Sequence, residues 1–482
     1  MKKKILILAL AVILCVCACL PASARSFAPY NGYEYDDDGN IVPSTLAYTP
    51  VSVYQGDVDN TERLINPTDM FIDEENGLIY IVNSGNSSIL ITDTDFKLKE
   101  KITSITDKDG NEITFSQLNG IFVRDELIYL CDTGAAKVYI FNKQKELQRV
   151  LEKPKSEIFP QDTEYRPLKV LSDNLGFTYV LCQFITTGAL SYDENGEFTG
   201  FFGSNTVTVT ASMLAERFWR NFMTEDMIEY TVQYVPIEYN SFDVDDENFV
   251  YTCTGINQNN VDQIRKINPL GNNIFPTKTY GDRELVWYKN VMQATIMTDI
   301  AVNADGFVYG LDSQRGRIFV YDNEGSNLTV FGGSNNQDGT FMQPVAIDTV
   351  GDDVYVLDAK ASSITTFELT EYGKKLYEGT LLNLDGRYEQ AKGIWQQVLM
   401  QNANCLSAYY GIGKAEFYTG NYIEAMKNFK LAGERDAESM AFDSLRTEFL
   451  REFIGIIISL IVILFILKKV IGIIKRRRKS EN

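Results

Sequence analysis

A short apolar motif with a central tyrosine recurs through the first three quarters of the chain. The motif IYIVNS at residues 79–84 has five relatives: IYLCDT (128–133), TYVLCQ (178–183), VYTCTG (250–255), VYGLDS (308–313) and VYVLDA (354–359). The copies are marked by Tyr80, Tyr129, Tyr179, Tyr251, Tyr309 and Tyr355, each followed two residues later by an apolar side chain. This alternation has the period of a β-strand. Six strand-forming copies at intervals of 46 to 72 residues predict a β-propeller with one copy in each blade.

The N-terminal strand is predicted to close the ring of blades. VSVYQG at residues 51–56 is similar to the segments that end at Gly203, Gly281 and Gly332, where fourth strands are expected. The last blade has only three strands before the pattern becomes helical, and a propeller cannot leave a sheet edge open. We therefore expect a six-bladed β-propeller over residues 44–372, with the N-terminal strand completing the last blade and a helical insertion at 211–230.

One segment carries a family resemblance. Residues 331–364, FGGSNNQDGTFMQPVAIDTVGDDVYVLDAKASSI, combine a glycine-rich entry, a proline before the first strand and a Tyr-x-x-Asp second strand. This segment resembles the NHL-repeat family of six-bladed propellers. Pro67 and Pro167 repeat the proline, whereas Cys182 and Thr254 replace the usual aspartate. The resemblance implies an architecture rather than an activity, because propeller folds carry many functions.

The period changes to 34 residues after the propeller. Gly379, Gly386, Tyr388, Ala391 and Trp395 recur as Gly413, Gly420, Tyr422, Ala425 and Phe429. This pattern resembles two tetratricopeptide (TPR) repeats over residues 373–435, in which small residues let paired helices approach closely. A helix over 436–452 is expected to cap them. The repeats could form a stalk or a peptide-binding groove, and the sequence leaves both open.

The two ends predict a single-pass membrane protein. Lysines 2–4, an apolar run and Ala22-Ser23-Ala24 are typical of a signal peptide over residues 1–24, with lipoprotein processing at Cys19 as the alternative. Residues 25–43 form a polar, aromatic lead-in whose 36–40 segment is predicted to be a turn. Residues 453–474 are long and apolar enough for a transmembrane helix, and the basic tail 475–482 should remain cytoplasmic. The N-terminal part is thus expected outside the cell membrane.

Composition excludes several classes of function. The chain has 45 basic and 65 acidic residues, and many of the basic ones lie at its two ends, so we expect no nucleic acid partner. It contains no histidine, which excludes histidine-dependent triads, histidine zinc sites and the histidine-based lyases that share propeller folds. Cys131 and Cys253 replace apolar residues of the repeat and are expected to be buried thiols, with a disulfide between blades as the alternative. No cofactor or metal site is predicted.

Ligands of propellers commonly meet the loops at one end of the central channel. The repeat alignment places Asp69, Lys169 and Asp299 where first strands begin, and Arg315 after a second strand. We predict these four residues as ligand contacts. Trp219, in the insertion, is expected either to pack across the propeller or to line the ligand face. Two further acidic residues are expected to brace loops as ion pairs with basic residues: Asp132 with Lys137, and Asp312 with Arg317.

These features favour a non-catalytic binding or scaffold protein anchored in the membrane. Its expected partner is a protein or glycan at the outer surface, or a membrane transport complex. The alternative is a divalent-cation-dependent hydrolase or lactonase-like enzyme that uses carboxylates, because no histidine is available. A third possibility is an architectural spacer without a ligand.

Overall fold

The computed structural model describes residues 28–36, 40–55, 57–58, 62–159, 161–203, 238–255, 262–282, 286–288, 291–293 and 295–480. The predicted signal peptide, the 211–230 insertion and Trp219 lie outside these residues. Within them the chain forms six antiparallel sheets whose first strands contact one another in ring order, with the last sheet contacting the first. The prediction of a six-bladed β-propeller is therefore confirmed.

Each blade contains the tyrosine of its motif in its second strand, and all six tyrosines are buried. In blades 1 to 3 the strands are Asp69–Asp73, Leu78–Asn83, Ser88–Asp93 and Leu98–Ile102; Leu118–Arg124, Leu127–Asp132, Lys137–Asn142 and Leu147–Leu151; and Pro167–Ser172, Thr178–Cys182, Ala189–Tyr192 and Phe198–Phe202. In blades 4 to 6 they are Tyr239–Val244, Val250–Thr254 and Ile264–Ile267; Met297–Val302, Val308–Asp312, Arg317–Tyr321 and Asn327–Gly332; and Pro344–Val350, Asp353–Asp358 and Ser363–Leu369 with Tyr48–Gln55. Short hairpins pair Asp57–Val58 with Glu62–Arg63, Ser104–Thr106 with Glu112–Thr114, and Val286–Tyr288 with Val291–Gln293.

The N-terminal strand closes the ring as the sequence predicts. Tyr48–Gln55 runs antiparallel to the third strand of blade 6, with Tyr54 opposite Ile364. It begins three residues earlier than the motif VSVYQG suggests. The extra residues place the Tyr48 ring against Phe331 of blade 5, with ring centroids 4.4 Å apart. The closing strand thus also contacts the neighbouring blade.

The lead-in adds two strands to blade 5, which the sequence did not reveal. Gly32–Tyr35 and Ile41–Ser44 form a hairpin, and Tyr33 pairs with Val330 at the outer edge of the blade. Residues 37–39 of the predicted turn lie outside the described part of the chain; at its ends, Asp36 Oδ1 accepts a 2.7 Å hydrogen bond from the backbone N–H of Asn40. Blade 5 therefore has six strands, and its outermost edge belongs to the lead-in.

The C-terminal region is helical. The helices are α1 (Glu371–Leu384), α2 (Tyr388–Gln401), α3 (Leu406–Tyr418), α4 (Tyr422–Ala432) and α5 (Arg435–Ser480). The 34-residue period repeats a close contact between a glycine on one helix and an aromatic ring on the next. A Cβ atom on Gly379 would lie 2.9 Å from the Trp395 ring, and one on Gly413 would lie 2.6 Å from the Phe429 ring, so neither position has room for a larger residue. The long helix α5 is the one helix in the described chain with the length and apolar composition needed to cross a membrane.

Three buried tyrosines join the helices to the propeller. The hydroxyl of Tyr377 in α1 lies 2.9 Å from that of Tyr48 and 3.1 Å from that of Tyr309. The Tyr48 hydroxyl also donates to the carbonyl oxygen of Asp352, at 2.9 Å. Buried hydroxyl groups need such partners, because an unpaired one costs about 1–3 kcal/mol. Blade 5, blade 6 and the first helices consequently share one hydrophobic core.

Candidate functional site

Three of the predicted ligand contacts meet in the central channel. Asp69, Lys169 and Asp299 hold the same register position, opposite Val82, Leu181 and Leu311 of their second strands. Equivalent positions in a propeller lie at one depth of the channel, so the side chains converge. Lys169 Nζ lies 2.6 Å from Asp69 Oδ1 and 3.2 Å from Asp299 Oδ1, and both carboxylates are buried. The repeat alignment predicts that these residues lie near one another, but the ion pairs between them were not predicted.

The remaining oxygen of each carboxylate binds the next blade. Asp69 Oδ2 accepts a 2.9 Å hydrogen bond from the backbone N–H of Ile121, in blade 2. Asp299 Oδ2 accepts one of 2.8 Å from Ile347, in blade 6. The first strand of a blade is an edge strand, whose outward N–H groups lack a ladder partner. Each aspartate therefore satisfies a donor that the propeller leaves unpaired.

Two further aspartates, at a second depth of the channel, also accept hydrogen bonds from backbone N–H groups of a neighbouring blade. Asp243 Oδ2 accepts from the N–H of Val302 at 2.8 Å, and Asp348 Oδ2 from that of Ile72 at 2.7 Å. Both pair with the motif tyrosines of their blades, Tyr251 and Tyr355. The sequence analysis missed these two residues. Their signal is an acidic residue within a first strand that is otherwise apolar, as in FDVD and VAID.

Burial dominates the electrostatics of this cluster. It raises the pKa of Asp69 to about 6, although the Lys169 ammonium opposes the shift. It also raises the pKa of Asp243 to about 6 and that of Asp348 well above its usual range. Burial alone would lower the pKa of Lys169, but attraction to Asp299 and Asp69 outweighs it and raises that pKa. The lysine is thus charged at neutral pH.

The channel around this cluster has little free space. Its cavity of about 40 Å³ is lined by Asp69, Lys169, Ser241, Asp243, Asp299 and Asp348 together with apolar residues of the first strands. A water molecule occupies about 30 Å³ in the liquid, so the cavity has room for roughly one. Ser241 Oγ is buried there with no protein partner among the described residues. The cavity is too small for an organic substrate.

Arg315, the fourth predicted contact, lies apart from the channel cluster. It is buried and pairs with Asp282, and burial lowers the pKa of its guanidinium. The Asp282 carboxylate also lies 3.1 Å from Arg317 Nη1 and accepts hydrogen bonds from the hydroxyls of Tyr33 and Tyr35. Arg315 therefore belongs to the contact between the lead-in hairpin and blade 5.

The loop-bracing aspartates act through the backbone. Asp132 accepts hydrogen bonds from the N–H groups of Ser116 and Gln117, and Asp312 accepts one from Ile296. Asp132 lies opposite Lys137 and Asp312 opposite Arg317 in their sheets, but neither predicted ion pair is among those of the described residues. Lys137 pairs instead with Glu152, at 3.0 Å. Arg317 pairs with Asp282, whose carboxylate also accepts hydrogen bonds from Tyr33 and Tyr35 of the lead-in hairpin.

The cysteines and acidic groups show no metal-binding arrangement in the described residues. Cys131 and Cys253 are buried free thiols as predicted, and so are Cys182 and Cys405. The described residues contain no group of three or more cysteine or acidic side chains placed to hold a metal ion.

An open groove lies beside the channel, where blades 6 and 1 meet. Its volume is about 640 Å³, and its walls come from the segments that lead into the two first strands and from the turn after Asp358. Among the described residues, its charged lining residues are Arg63 and Lys360, both of them basic and exposed. In a chain of net charge −20, this groove is a local basic site.

No known family model matches the chain, and no curated protein is similar to it in sequence. Solved structures share its fold at low identity. Virginiamycin B lyase from Staphylococcus aureus is 10% identical with a TM-score of 0.41, covering 67% of this chain and 100% of that one. A luciferin-regenerating enzyme is 10% identical with a TM-score of 0.40, covering 67% and 95%. The extracellular domain of a putative one-component system from B. thetaiotaomicron is 12% identical with a TM-score of 0.39, covering 71% and 38%.

Proposed function

We propose that this protein is a membrane-anchored extracytoplasmic binding or scaffold protein. The observation that carries the proposal is that the charged side chains in the central channel bind one another and the backbone of neighbouring blades. Lys169 pairs with Asp69 and Asp299, and the same carboxylates hold the neighbouring blades. These contacts give the three side chains a structural role in the channel. The exposed faces of the propeller are then the surfaces available for function.

The anchor follows from the ends of the chain. Helix α5 continues without a break from Arg435 through the predicted span 453–474, so no flexible linker separates the helical region from the membrane. The predicted signal peptide and the basic tail support an orientation with the propeller outside and the C-terminus in the cytoplasm. The NHL-like segment and the 34-residue period support an NHL propeller carried on TPR repeats.

The basic groove between blades 6 and 1 is the proposed binding surface. Arg63 and Lys360 are the charged residues that line it, so it favours a partner that presents carboxylate or phosphate groups. Gln343 and Asn66 add amide groups that can both donate and accept hydrogen bonds. A protein or glycan at the outer surface, including an exposed part of a membrane transport complex, can supply such chemistry.

The alternative, a divalent-cation-dependent hydrolase or lactonase-like enzyme, has less support. The Lys169 ammonium occupies the space between the two carboxylates that a cation would have to share. The channel cavity also has no room for a substrate. Calcium-dependent thermal stabilisation that is lost on substituting Asp69 and Asp299 would favour the enzyme instead.

Crosslinking in native membranes tests the proposal. The full-length protein is crosslinked in cells that produce it, and captured proteins and glycans are identified by mass spectrometry. We expect a reproducible partner that is lost from the variant Arg63→Glu/Lys360→Glu. Lys108→Glu, which reverses an exposed charge in a distant loop, is the matched control and should retain the partner. Capture of nothing reproducible, or equal capture by all three proteins, would contradict the proposal.

A further inference from the structure

A buried glutamate stands out at the contact between the lead-in hairpin and helix α3. Glu34 lies in the strand Gly32–Tyr35 and is 1% exposed. The backbone N–H of Leu406, the first residue of α3, lies near its carboxyl group and favours the ionised form. Its Oε1 atom has no hydrogen-bond partner among the described residues. A buried carboxyl oxygen without a partner is costly and demands an explanation.

The free oxygen belongs to a residue that lines a cavity of about 130 Å³. An engineered protein cavity of about 150 Å³ is known to hold benzene, so this one has room for a molecule of a few heavy atoms. Its walls come from the lead-in hairpin, the segment before blade 5, the first turns of α3 and the end of α4. The cavity is therefore built jointly by the propeller and the helices.

The charges around the cavity decide which ligand it suits. Its titratable and charged lining residues are Glu34, Tyr35, Asp36, Lys278, Tyr321, Tyr410 and Glu434. Three are acids and one is a base, which favours a cation. The aromatic rings add to this preference, because a ring face attracts positive charge. The Leu406 N–H at the start of α3 also favours the ionised form of Glu34.

A metal ion does not fit this arrangement. Coordination of a divalent cation needs several oxygens within about 2.5 Å of one point. No set of three acidic or cysteine side chains in the described residues is close enough for that. An organic ammonium ion needs fewer ligands than a metal ion, because one carboxylate and the faces of neighbouring aromatic rings are enough to bind it. We propose that this cavity binds a small organic ammonium ion whose positive charge is balanced by the carboxylate of Glu34.

Binding would be linked to a proton. Burial raises the pKa of Glu34 to about 8, with the Leu406 N–H opposing the shift, so the free protein holds it mostly neutral at pH 7. An ammonium ligand requires the ionised form. Binding at pH 7 should therefore release about 0.9 proton, and affinity should rise with pH up to about 8. A water molecule in the same cavity would produce no such release.

Calorimetry and thermal unfolding of the full-length protein in detergent test this site. The probe is n-butylammonium chloride; n-butanol and tetrabutylammonium chloride are the uncharged and oversized controls. We expect a saturable thermal shift with the probe alone. We also expect a binding enthalpy that differs between buffers of different ionisation enthalpy, as proton release requires. This second measurement needs no variant, so it does not depend on a substituted protein folding.

Glu34→Gln keeps an acceptor for Leu406 but cannot ionise, and it should abolish both effects. Glu157→Gln, at an exposed position in blade 3's entry loop, should change neither. The proposal fails if n-butanol stabilises equally, if Glu34→Gln binds the probe as the unsubstituted protein does, or if binding releases no proton. An equal Glu34-dependent effect of calcium chloride would overturn the choice of an organic cation. Failure here leaves the partner capture at the basic groove untouched.

Discussion

Lys169 Nζ lies 2.6 Å from Asp69 Oδ1 across the central channel, and its ammonium also contacts Asp299 Oδ1 at 3.2 Å. Blades 1, 3 and 5 thus share one buried ion cluster. Because each aspartate also accepts an N–H from the following blade, the cluster ties five of the six blades to one another.

Removing the lysine should destabilise the protein strongly. Lys169→Met leaves two buried carboxylates without their counter-charge, which typically costs about 3–5 kcal/mol. Lys145→Met is the control, because it breaks a surface pair with Glu100 at 2.6 Å that is worth about 0–1 kcal/mol. Chemical unfolding of the full-length protein in detergent at pH 7 compares the two. Equal losses of unfolding free energy would mean that the buried cluster has no special role.

Asp243 should make stability depend on pH between about 4 and 6. Its folded pKa of about 6 is above the ordinary 3.8, so its contribution is fully present below pH 3.8 and is lost as pH rises through 6. The shift corresponds to a change on the order of 3 kcal/mol. Asp243→Asn retains an oxygen acceptor for Val302 and should flatten this part of the profile. Unfolding free energies at pH 4, 5, 6 and 7 give the slope, and an unchanged slope would contradict the assignment.

The tyrosine junction should couple the helices to the propeller. Tyr377→Phe deprives the hydroxyls of Tyr48 and Tyr309 of a buried partner, which should cost about 1–3 kcal/mol. Tyr388→Phe, at a less buried position on α2, should cost little. Far-ultraviolet circular dichroism and tyrosine fluorescence should report one unfolding transition for the unsubstituted protein. Two separated transitions would show that the helices and propeller unfold independently.

Two helix glycines should respond oppositely to alanine. A Cβ at Gly413 would lie 2.6 Å from the Phe429 ring, so Gly413→Ala should cost about 1–3 kcal/mol through overpacking. A Cβ at Gly393, in α2, would meet nothing within 4 Å, so Gly393→Ala should stabilise by about 0.5–1 kcal/mol through helix propensity. Thermal unfolding distinguishes the signs. Stabilisation by Gly413→Ala would refute the close approach of α3 and α4.

The ring of blades could be predicted from sequence because every copy of the repeat carries the same buried tyrosine and strand period. The closing strand could be predicted because the last blade has only three strands in sequence order, and another segment must cover its open edge. The lead-in hairpin could not, since Tyr33 and Glu34 are buried by blade 5 and α3, which are distant in the chain. The hydrophobic pattern of a short segment does not show which distant segments will pack against it.

The channel site could be predicted only in part. Register alone brings Asp69, Lys169 and Asp299 together, because equivalent repeat positions meet at one depth. Asp243 and Asp348 accept hydrogen bonds from backbone N–H groups on the first strand of a neighbouring blade. Which N–H groups remain unpaired there is decided only when the ring of blades closes, so these two contacts could not be predicted from the sequence. Arg315 does not join the cluster, because it pairs with Asp282 in the segment between blades 4 and 5. The repeat pattern does not cover that segment, so the pairing could not be predicted.

Partner capture by two matched variants tests most directly where the function lies. The channel variant Asp69→Asn/Lys169→Gln neutralises the buried pair, and the groove variant Arg63→Glu/Lys360→Glu reverses the exposed charges. Both are crosslinked in native membranes at a temperature where each is folded by circular dichroism. We predict that the channel variant keeps the partner of the unsubstituted protein and that the groove variant loses it. Loss of the partner from the channel variant, with retention by the groove variant, would contradict the account.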